Sequence, residues 1–334
     1  MHTTKLSSLT KLVSVALLTA SGQAFAADDA DAQAAARYPD KPIRIIAPSS
    51  AGGGIDTLSR IIGAEITKTW GESIVVDNRP GAGGIIGSNV VAQAKPDGYT
   101  ILLVASGYTI NPSLYKTLPY DTIKDFERVS YLACAPNMLV VNPSVPVKTV
   151  EELVAYAKAN PDGLTYGSSG VGTTSYLSGL LFTQAAGIKM VQVPYKGAGQ
   201  SNMAALAGEV DSIFSAPHEM IPHAREGRMT ALGVTSDKRL PLMPDVPTIA
   251  ESGFPGFDVQ TCYGVLAPAG TPKPIIDKLS AKLVEVINTP AVRNQLEELS
   301  FSIIGSTPEE YTAIAKADMA RWIKVLKEAG VQPQ

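Results

Sequence analysis

Short apolar runs alternate along the chain with stretches whose apolar residues recur every three to four positions. Residues 41–48 read KPIRIIAP, a buried-strand pattern, and SSAGGG follows. From Ile55 to Trp70, Leu58, Ile61, Ile62 and Ile66 fall on one helical face, and Gly71 supplies a stop. SIVVDN reads as a second strand, and Arg79-Pro80-Gly81-Ala82-Gly83-Gly84 leads into helical IIGSNVVAQA. Pro96-Asp97-Gly98 turns the chain into a third strand, YTILLVAS. Strand, glycine loop and helix repeated in this order predict an α/β fold built on parallel sheet.

Residues 129–142, VSYLACAPNMLVVN, are interrupted by Pro136 and read as two strand segments crossing between two lobes. A second α/β series follows. It has a helix over Thr149–Asn160, strand LTYGSS, loop GVGTT and a helix over Tyr176–Ala186. Strand MVQVPY, loop KGAGQ, a helix over Ser201–Ala207 and strands VDSIFSA and MTALGVTS complete it. Pro241, Pro244, Pro247 and Pro255 make residues 239–257 a long irregular connection. FDVQTCYGVLAP is a second crossing strand, and three helices follow over Pro274–Val286, Ala291–Leu299 and Pro308–Ala329. Trp70, and Trp322 with Ile323 and Leu326, read as core-facing. No repeat of 20–50-residue period is present.

The first 26 residues have their own pattern. Lys5 and Lys11 precede the apolar run LVSVALLTA, and the stretch ends Ala24-Phe25-Ala26, which together make a cleavable secretory signal. Asp28 to Arg37 reads as a mobile lead-in. Of the three histidines, only His218 and His223 remain after cleavage. With 334 residues, 45 % hydrophobic and 18 % charged, the chain has material for two domains and is not globally disordered. A net charge of −3 without a basic run disfavours nucleic acid. Two cysteines and three histidines leave no Cys/His zinc set, and no metal is expected.

Four glycine-bearing junctions, at 49–56, 81–87, 167–174 and 196–201, stand where strands pass into helices. Helix N-termini carry free N–H groups and partial positive charge, which suits an anion. Ser168, Ser169, Thr173 and Thr174 add neutral hydroxyls, with ordinary helix capping as the alternative. Gly52-Gly53-Gly54-Ile55-Asp56-Thr57 lacks the third glycine of a dinucleotide fingerprint, and no P-loop is present, so no cofactor is expected. Asp56 reads as a capping group before a ligand contact, His218 and Glu219 as a solvated loop, and Lys196 as a surface lysine. A secreted serine hydrolase using Ser168 or Ser169 is the alternative class; it needs His218 or His223 as base.

Taken together, these motifs resemble the solute receptors of tripartite tricarboxylate transporters, the Bug or TctC-like (UPF0065) family. The resemblance runs from Tyr38-Pro39-Asp40-Lys41-Pro42-Ile43 through Ala51-Gly52-Gly53-Gly54, Asp77-Asn78-Arg79-Pro80-Gly81-Ala82-Gly83-Gly84 and Asn111-Pro112-Ser113-Leu114-Tyr115. It continues through Val193-Pro194-Tyr195-Lys196-Gly197 and Asp245-Val246-Pro247-Thr248 to Pro268-Ala269-Gly270-Thr271-Pro272. It implies a two-lobed periplasmic binding protein of the type II, Venus-flytrap kind with two crossing hinge strands. The expected lobes are 38–136 with 263–334, and 137–262. The implied function is non-enzymatic: a periplasmic monomer captures a small organic carboxylate for membrane permease subunits. The implied ligand set is Ser49, Ser50, Ala51, Gly52, Gly53, Asp56 and Ser106 from the first lobe with Tyr263 at the crossing. Ser168, Gly172, Thr173, Thr174, Tyr195 and Ser215 come from the second. The sequence departs from the family pattern at Ser49, near Tyr176, near Ser215 and near Cys262–Tyr263. In such a flytrap the crossing strands lie side by side, which brings Cys134 and Cys262 close; a bridge and two separate buried thiols both stay open.

Overall fold

The computed structural model describes residues 33, 35–161 and 163–333. The expected signal, 1–26, lies outside the described residues, as does most of the lead-in. The end of the lead-in is not a loose tether. Residues 35–37 are helical, Ala35 is buried, and its carbonyl accepts a hydrogen bond from Lys278 Nζ at 2.9 Å.

The chain opens with β1 (Ile43–Ala47), α1 (Gly54–Trp70), β2 (Ile74–Asn78), α2 (Ile85–Ala92), β3 (Thr100–Ala105) and α3 (Gly107–Leu114). β4 (Phe126–Pro136) and β5 (Met138–Val141) are separated only by Asn137. Then come α4 (Val150–Ala159), β6 (Thr165–Ser168), α5 (Thr174–Ala186), β7 (Val191–Pro194) and α6 (Ala198–Ala207). β8 (Ser212–Ser215), α7 (Pro217–Arg225) and β9 (Thr230–Val234) precede the irregular stretch, and β10 (Gln260–Pro268) follows it. The chain ends with α8 (Lys273–Ile287), α9 (Pro290–Glu298), β11 (Ser302–Ile303) and α10 (Pro308–Glu328).

Two sheets result, ordered β2-β1-β3-β10-β4-β11 and β7-β6-β8-β5-β9. β1 pairs in parallel with β2 and β3, and β6 with β7 and β8. The wholly parallel expectation is corrected in both sheets: the short β11 runs antiparallel to β4 at the edge of the first sheet, and one inner strand of each sheet is reversed. β10 runs antiparallel to β3 and β4, and β5 antiparallel to β8 and β9. Both strands enter their sheet from the other lobe, so they arrive reversed. Hydrophobic periodicity reports burial and carries no information on direction. The two sheets thus share one plan of three parallel strands, one antiparallel insert and a further strand, to which the first sheet adds β11 at its edge, although the sequence shows no short-period repeat.

The two crossings lie together, with Gln260 opposite Pro136. Thr235 fastens them: its N–H donates to the Asn137 carbonyl at 2.9 Å, and its Oγ1 donates to the Val259 carbonyl at 2.5 Å. Cys134 and Cys262 are register partners and form a disulfide, which selects the bridged alternative.

Apolar faces match the periodicity in most elements. Leu58, Ile62 and Ile66 of α1 are buried against Leu279, Leu283 and Val286 of α8 and strands of the first sheet. Gly71 ends α1 with left-handed φ. Trp322 and Leu326 of α10 pack on Ile110 and Leu114 of α3 and on Leu177 of α5, so the last helix touches both lobes. Ile323, expected beside them, is instead 53 % exposed. α3 and α7 are short, and each contains an internal proline, Pro112 and Pro222.

Candidate functional site

A cavity of about 400 Å³ opens between the two lobes, and all four glycine-bearing junctions contribute to its wall. That volume lies within the range of roughly 300–1,000 Å³ common for small-molecule sites. Six helices begin at it. Their N-caps are Gly53 (α1), Gly84 (α2), Ser106 (α3), Thr173 (α5), Gly197 (α6) and Ala216 (α7). Only α5 is capped by its own side chain, Thr173 accepting from the Tyr176 N–H; the other five have no side-chain cap bond. Helix N-termini without side-chain caps, and the positive ends of their dipoles, therefore converge on one space, an arrangement that favours negative charge. Each helix follows a strand of one of the two sheets, the position where open α/β sheets form ligand crevices.

The walls meet across the cavity mouth. A Cβ on Gly197 would fall 2.2 Å from Ser50 Oγ and 3.2 Å from the Ser50 nitrogen. One on Gly83, whose φ is +60°, would fall 2.5 Å from the Val171 carbonyl oxygen. Gly107 faces the Gly172 carbonyl in the same way, at 2.9 Å. Glycine lets backbones from the two lobes touch directly at these points, so the molecule is in a closed form.

Seven of the residues expected at the site line the cavity: Ser49, Gly53, Thr173, Thr174, Tyr195, Ser215 and Tyr263. Ser50, Ala51, Gly52, Gly172, Asp56, Ser106 and Ser168 are not part of its lining. Ser50, Ala51 and Gly172 take part in the contact between lobes instead. Ser106 Oγ accepts from the Cys262 N–H at 2.9 Å and so belongs to the crossing. Ser168 is fully buried, with its hydroxyl accepting from Gln192 Nε2 at 2.7 Å and the Gly170 N–H at 3.3 Å. Ser169 Oγ is bonded by Ser175 Oγ at 3.2 Å, and neither serine hydrogen-bonds a histidine. Among the described residues, the hydrolase alternative therefore has no serine–histidine pair to rest on.

Asp56 is a scaffold for the first loop. Its Oδ2 accepts from the Gly52 N–H and from Arg60 Nε, both at 3.0 Å. Arg60 also reaches Asn78 Oδ1, and Asn78 Nδ2 donates to the Ser49 carbonyl. Burial pushes the Asp56 carboxyl up, but hydrogen bonds from Arg60, Gly52 and Asn78 outweigh it and hold it below the usual aspartate value. A depressed folded-state value stabilises the fold above pH 3.8, and that contribution is lost as pH falls through the folded value. Replacing Asp56 by asparagine is expected to cost about 1–3 kcal/mol at pH 7, as for a hydrogen bond made by a buried charged group. Urea midpoints of both proteins at pH 7 and pH 3 check this. The difference should shrink at the lower pH, and a constant difference contradicts it.

Several lining residues fall outside the expected set. Gly81–Gly84, Asn111, Ser169, Gly170 and Ser175 belong to or adjoin the junctions. Lys196 is exposed, as a surface lysine is, and it also borders the cavity. The larger correction concerns His218 and Glu219. They sit in the first turn of α7, not in a solvated loop, and each side chain is only 7 % exposed. Pro217 at the first helical position is the sequence signal that could have found this helix. Lys196 and Glu219 are the two oppositely charged side chains of the wall.

Comparison with known proteins gives one answer by three routes. The family model described as "Tripartite tricarboxylate transporter family receptor" matches residues 58–331. A UPF0065 protein of Pseudomonas sp. strain P51 is 35 % identical over 98 % of both chains. BugT of Bordetella pertussis is 31 % identical over 88 % of this chain and 91 % of its own. Among solved structures, the periplasmic binding protein BugD superposes with a TM-score of 0.86 at 35 % identity, covering 89 % of this chain and all of BugD. MatC from Rhodopseudomonas palustris, solved with bound malate, gives 0.82 at 32 % identity over 86 % of this chain and all of MatC. Rpa4515 of R. palustris, solved with adipate, gives 0.86 at 34 % identity, covering 89 % of this chain and all of its own. The chain belongs to the tripartite tricarboxylate transporter receptor family, with the two-lobed fold of the periplasmic binding proteins.

Proposed function

We propose that this protein is an exported, monomeric periplasmic receptor that captures a small organic carboxylate and presents it to the membrane permease of a tripartite transporter. The observation that carries the reading is the convergence of six helix N-termini, five without a side-chain cap, on one closed cavity. Carboxylate oxygens would accept from those backbone N–H groups and from the Thr174 hydroxyl, with Thr261 as the donor in the bond those two threonines share. Such neutral donors hold an anion without a buried counter-ion, so release requires only that the lobes part. Closure excludes water and lowers the local dielectric, which strengthens every one of these bonds. The signal-like sequence pattern of residues 1–26, the membership of a periplasmic family and the relatives bound to malate and adipate support the same reading. The lobes are read as 38–136 with 263–334, and 137–262, moving about the fastening at Thr235.

A thermal-shift screen of mono-, di- and tricarboxylates tests the proposal. At least one acid should raise the melting temperature in a saturable way; a Kd near 1 μM, about −8 kcal/mol, would be in keeping with a scavenging receptor. Indifference to every organic acid, with binding of a neutral sugar instead, would overturn it.

A further inference from the structure

Among the described residues, Glu219 is the one acidic side chain in the cavity wall, and it is only half satisfied. Its Oε2 accepts from Asn202 Nδ2 at 2.7 Å and from Ser215 Oγ at 2.6 Å. These two bonds fix the carboxylate in one orientation. Its Oε1 is buried and has no hydrogen-bond partner. It lies across the gap from the N-cap of α1, where a Cβ on Gly53 would be 3.9 Å away.

The neighbouring groups do not supply the missing donor. His218 Nε2 is 3.8 Å from Oε1, beyond hydrogen-bond reach. Burial pushes the His218 imidazole below its usual value, against the opposing pull of Glu219, and the ring stacks on Phe301. The ring therefore stays neutral at pH 7 and gives the carboxylate no counter-charge. Burial and the Glu219 charge both raise the Tyr263 phenol, so it stays protonated too. A carboxylate so enclosed with one oxygen unpaired is costly unless a cationic donor reaches it.

We propose that Glu219 receives the ammonium group of the ligand, so that the carboxylate captured by this protein is an amino acid rather than a simple organic acid. This rests on the carboxylate reading above and deepens it. The ligand carboxylate would sit against the helix N-termini and its ammonium against Glu219 Oε1, so a zwitterion matches both poles of the cavity. A second carboxylate placed at Glu219 would be repelled. A hydroxyl there would satisfy Oε1 but leave its charge unneutralised.

The test uses acids that differ at one carbon only: aspartate, malate and succinate; glutamate, 2-hydroxyglutarate and glutarate; alanine, lactate and propionate. Titration calorimetry on the mature protein should show, in at least one set, the amino acid binding at least ten-fold more tightly than both others. Glu219→Gln keeps an acceptor for Asn202 and Ser215 and turns an amide N–H₂ toward the cavity. It should remove that preference while the hydroxy or unsubstituted acid binds as well as before or better. The wild-type ranking stands without the variant, so misfolding of Glu219→Gln leaves the test intact. If hydroxy or unsubstituted acids bind as tightly as their amino counterparts, the ammonium assignment falls and the carboxylate reading survives. If no acid of these sets binds but another carboxylate of the thermal-shift screen does, the ammonium assignment falls alone; if no carboxylate binds at all, both fall.

Discussion

Replacing Gly197 by leucine is expected to leave a folded protein that binds its acid at least 100-fold more weakly. Gly197 caps α6 on one side of the cavity mouth, and Ser50 belongs to the loop before α1 on the other. There is no room for a Cβ at this point, since it would fall 2.2 Å from Ser50 Oγ and 3.0 Å from Ser50 Cβ. The serine hydroxyl can rotate away, but its Cβ and backbone cannot, so a leucine holds the two loops apart. The position lies at the contact between lobes and outside the hydrophobic clusters, so neither core is disturbed. A wedged cleft presents its helix N-termini to water and to only one side of the ligand. Loss of two decades corresponds to about 2.7 kcal/mol. Calorimetry with the best acid of the screen measures it, and small-angle scattering should show no ligand-induced compaction. Gly53, which faces Ala198 at van der Waals distance, gives the reciprocal test from the first lobe. Wild-type affinity in both leucine variants would show that binding does not need this contact.

The second large effect concerns stability. The Cys134–Cys262 bridge joins residues 128 apart in sequence and sits where both crossing strands leave the first sheet. Closing so long a loop in the unfolded chain removes much of its entropy, and losing a native disulfide typically costs about 2–5 kcal/mol. At roughly 2–4 °C per kcal/mol for a chain of this size class, the Cys134→Ala, Cys262→Ala protein should melt about 5–15 °C lower. Reduced wild type should behave alike. Because the strands remain hydrogen-bonded on both sides of the bridge, ligand affinity at 25 °C should change little. An unchanged melting temperature, or two reactive thiols per chain in the denatured, unreduced protein, contradicts the expectation.

What the sequence revealed, and what it hid, follows from which forces act locally. Helices such as α1 and α8 are visible because their apolar faces repeat at the helical period and their ends carry glycine or proline signals. α3 and α7 are not visible in that way. GYTINPSL and PHEMIPHAR carry prolines and polar residues, and they are helical because neighbours from distant segments cover them. Missing α7 moved Glu219 from a buried wall to an imagined solvated loop. The four glycine junctions were legible as anion-ready, but their convergence was not, because it depends on how two sheets face one another. Ser168 shows the opposite error: a hydroxyl in a promising loop that Gln192, on the adjacent strand, turns inward. Strand direction failed for a similar reason, since β5 and β10 are reversed by the path of the chain and not by their own residues.

That path also dictates an order of assembly. β10 lies inside the first sheet, between β3 and β4, yet residues 260–268 are made after the whole of the second sheet. Until they emerge, β3 and β4 have no common neighbour, and the first lobe is a βαβαβ fragment with an open edge. The second sheet draws only on residues 138–234 and can close as soon as they are available. The lobe that begins the sequence is therefore the last to be finished, and its completion is a long-range event of the kind that slows folding. The leading half therefore cannot lock into a compact body before the trailing half arrives.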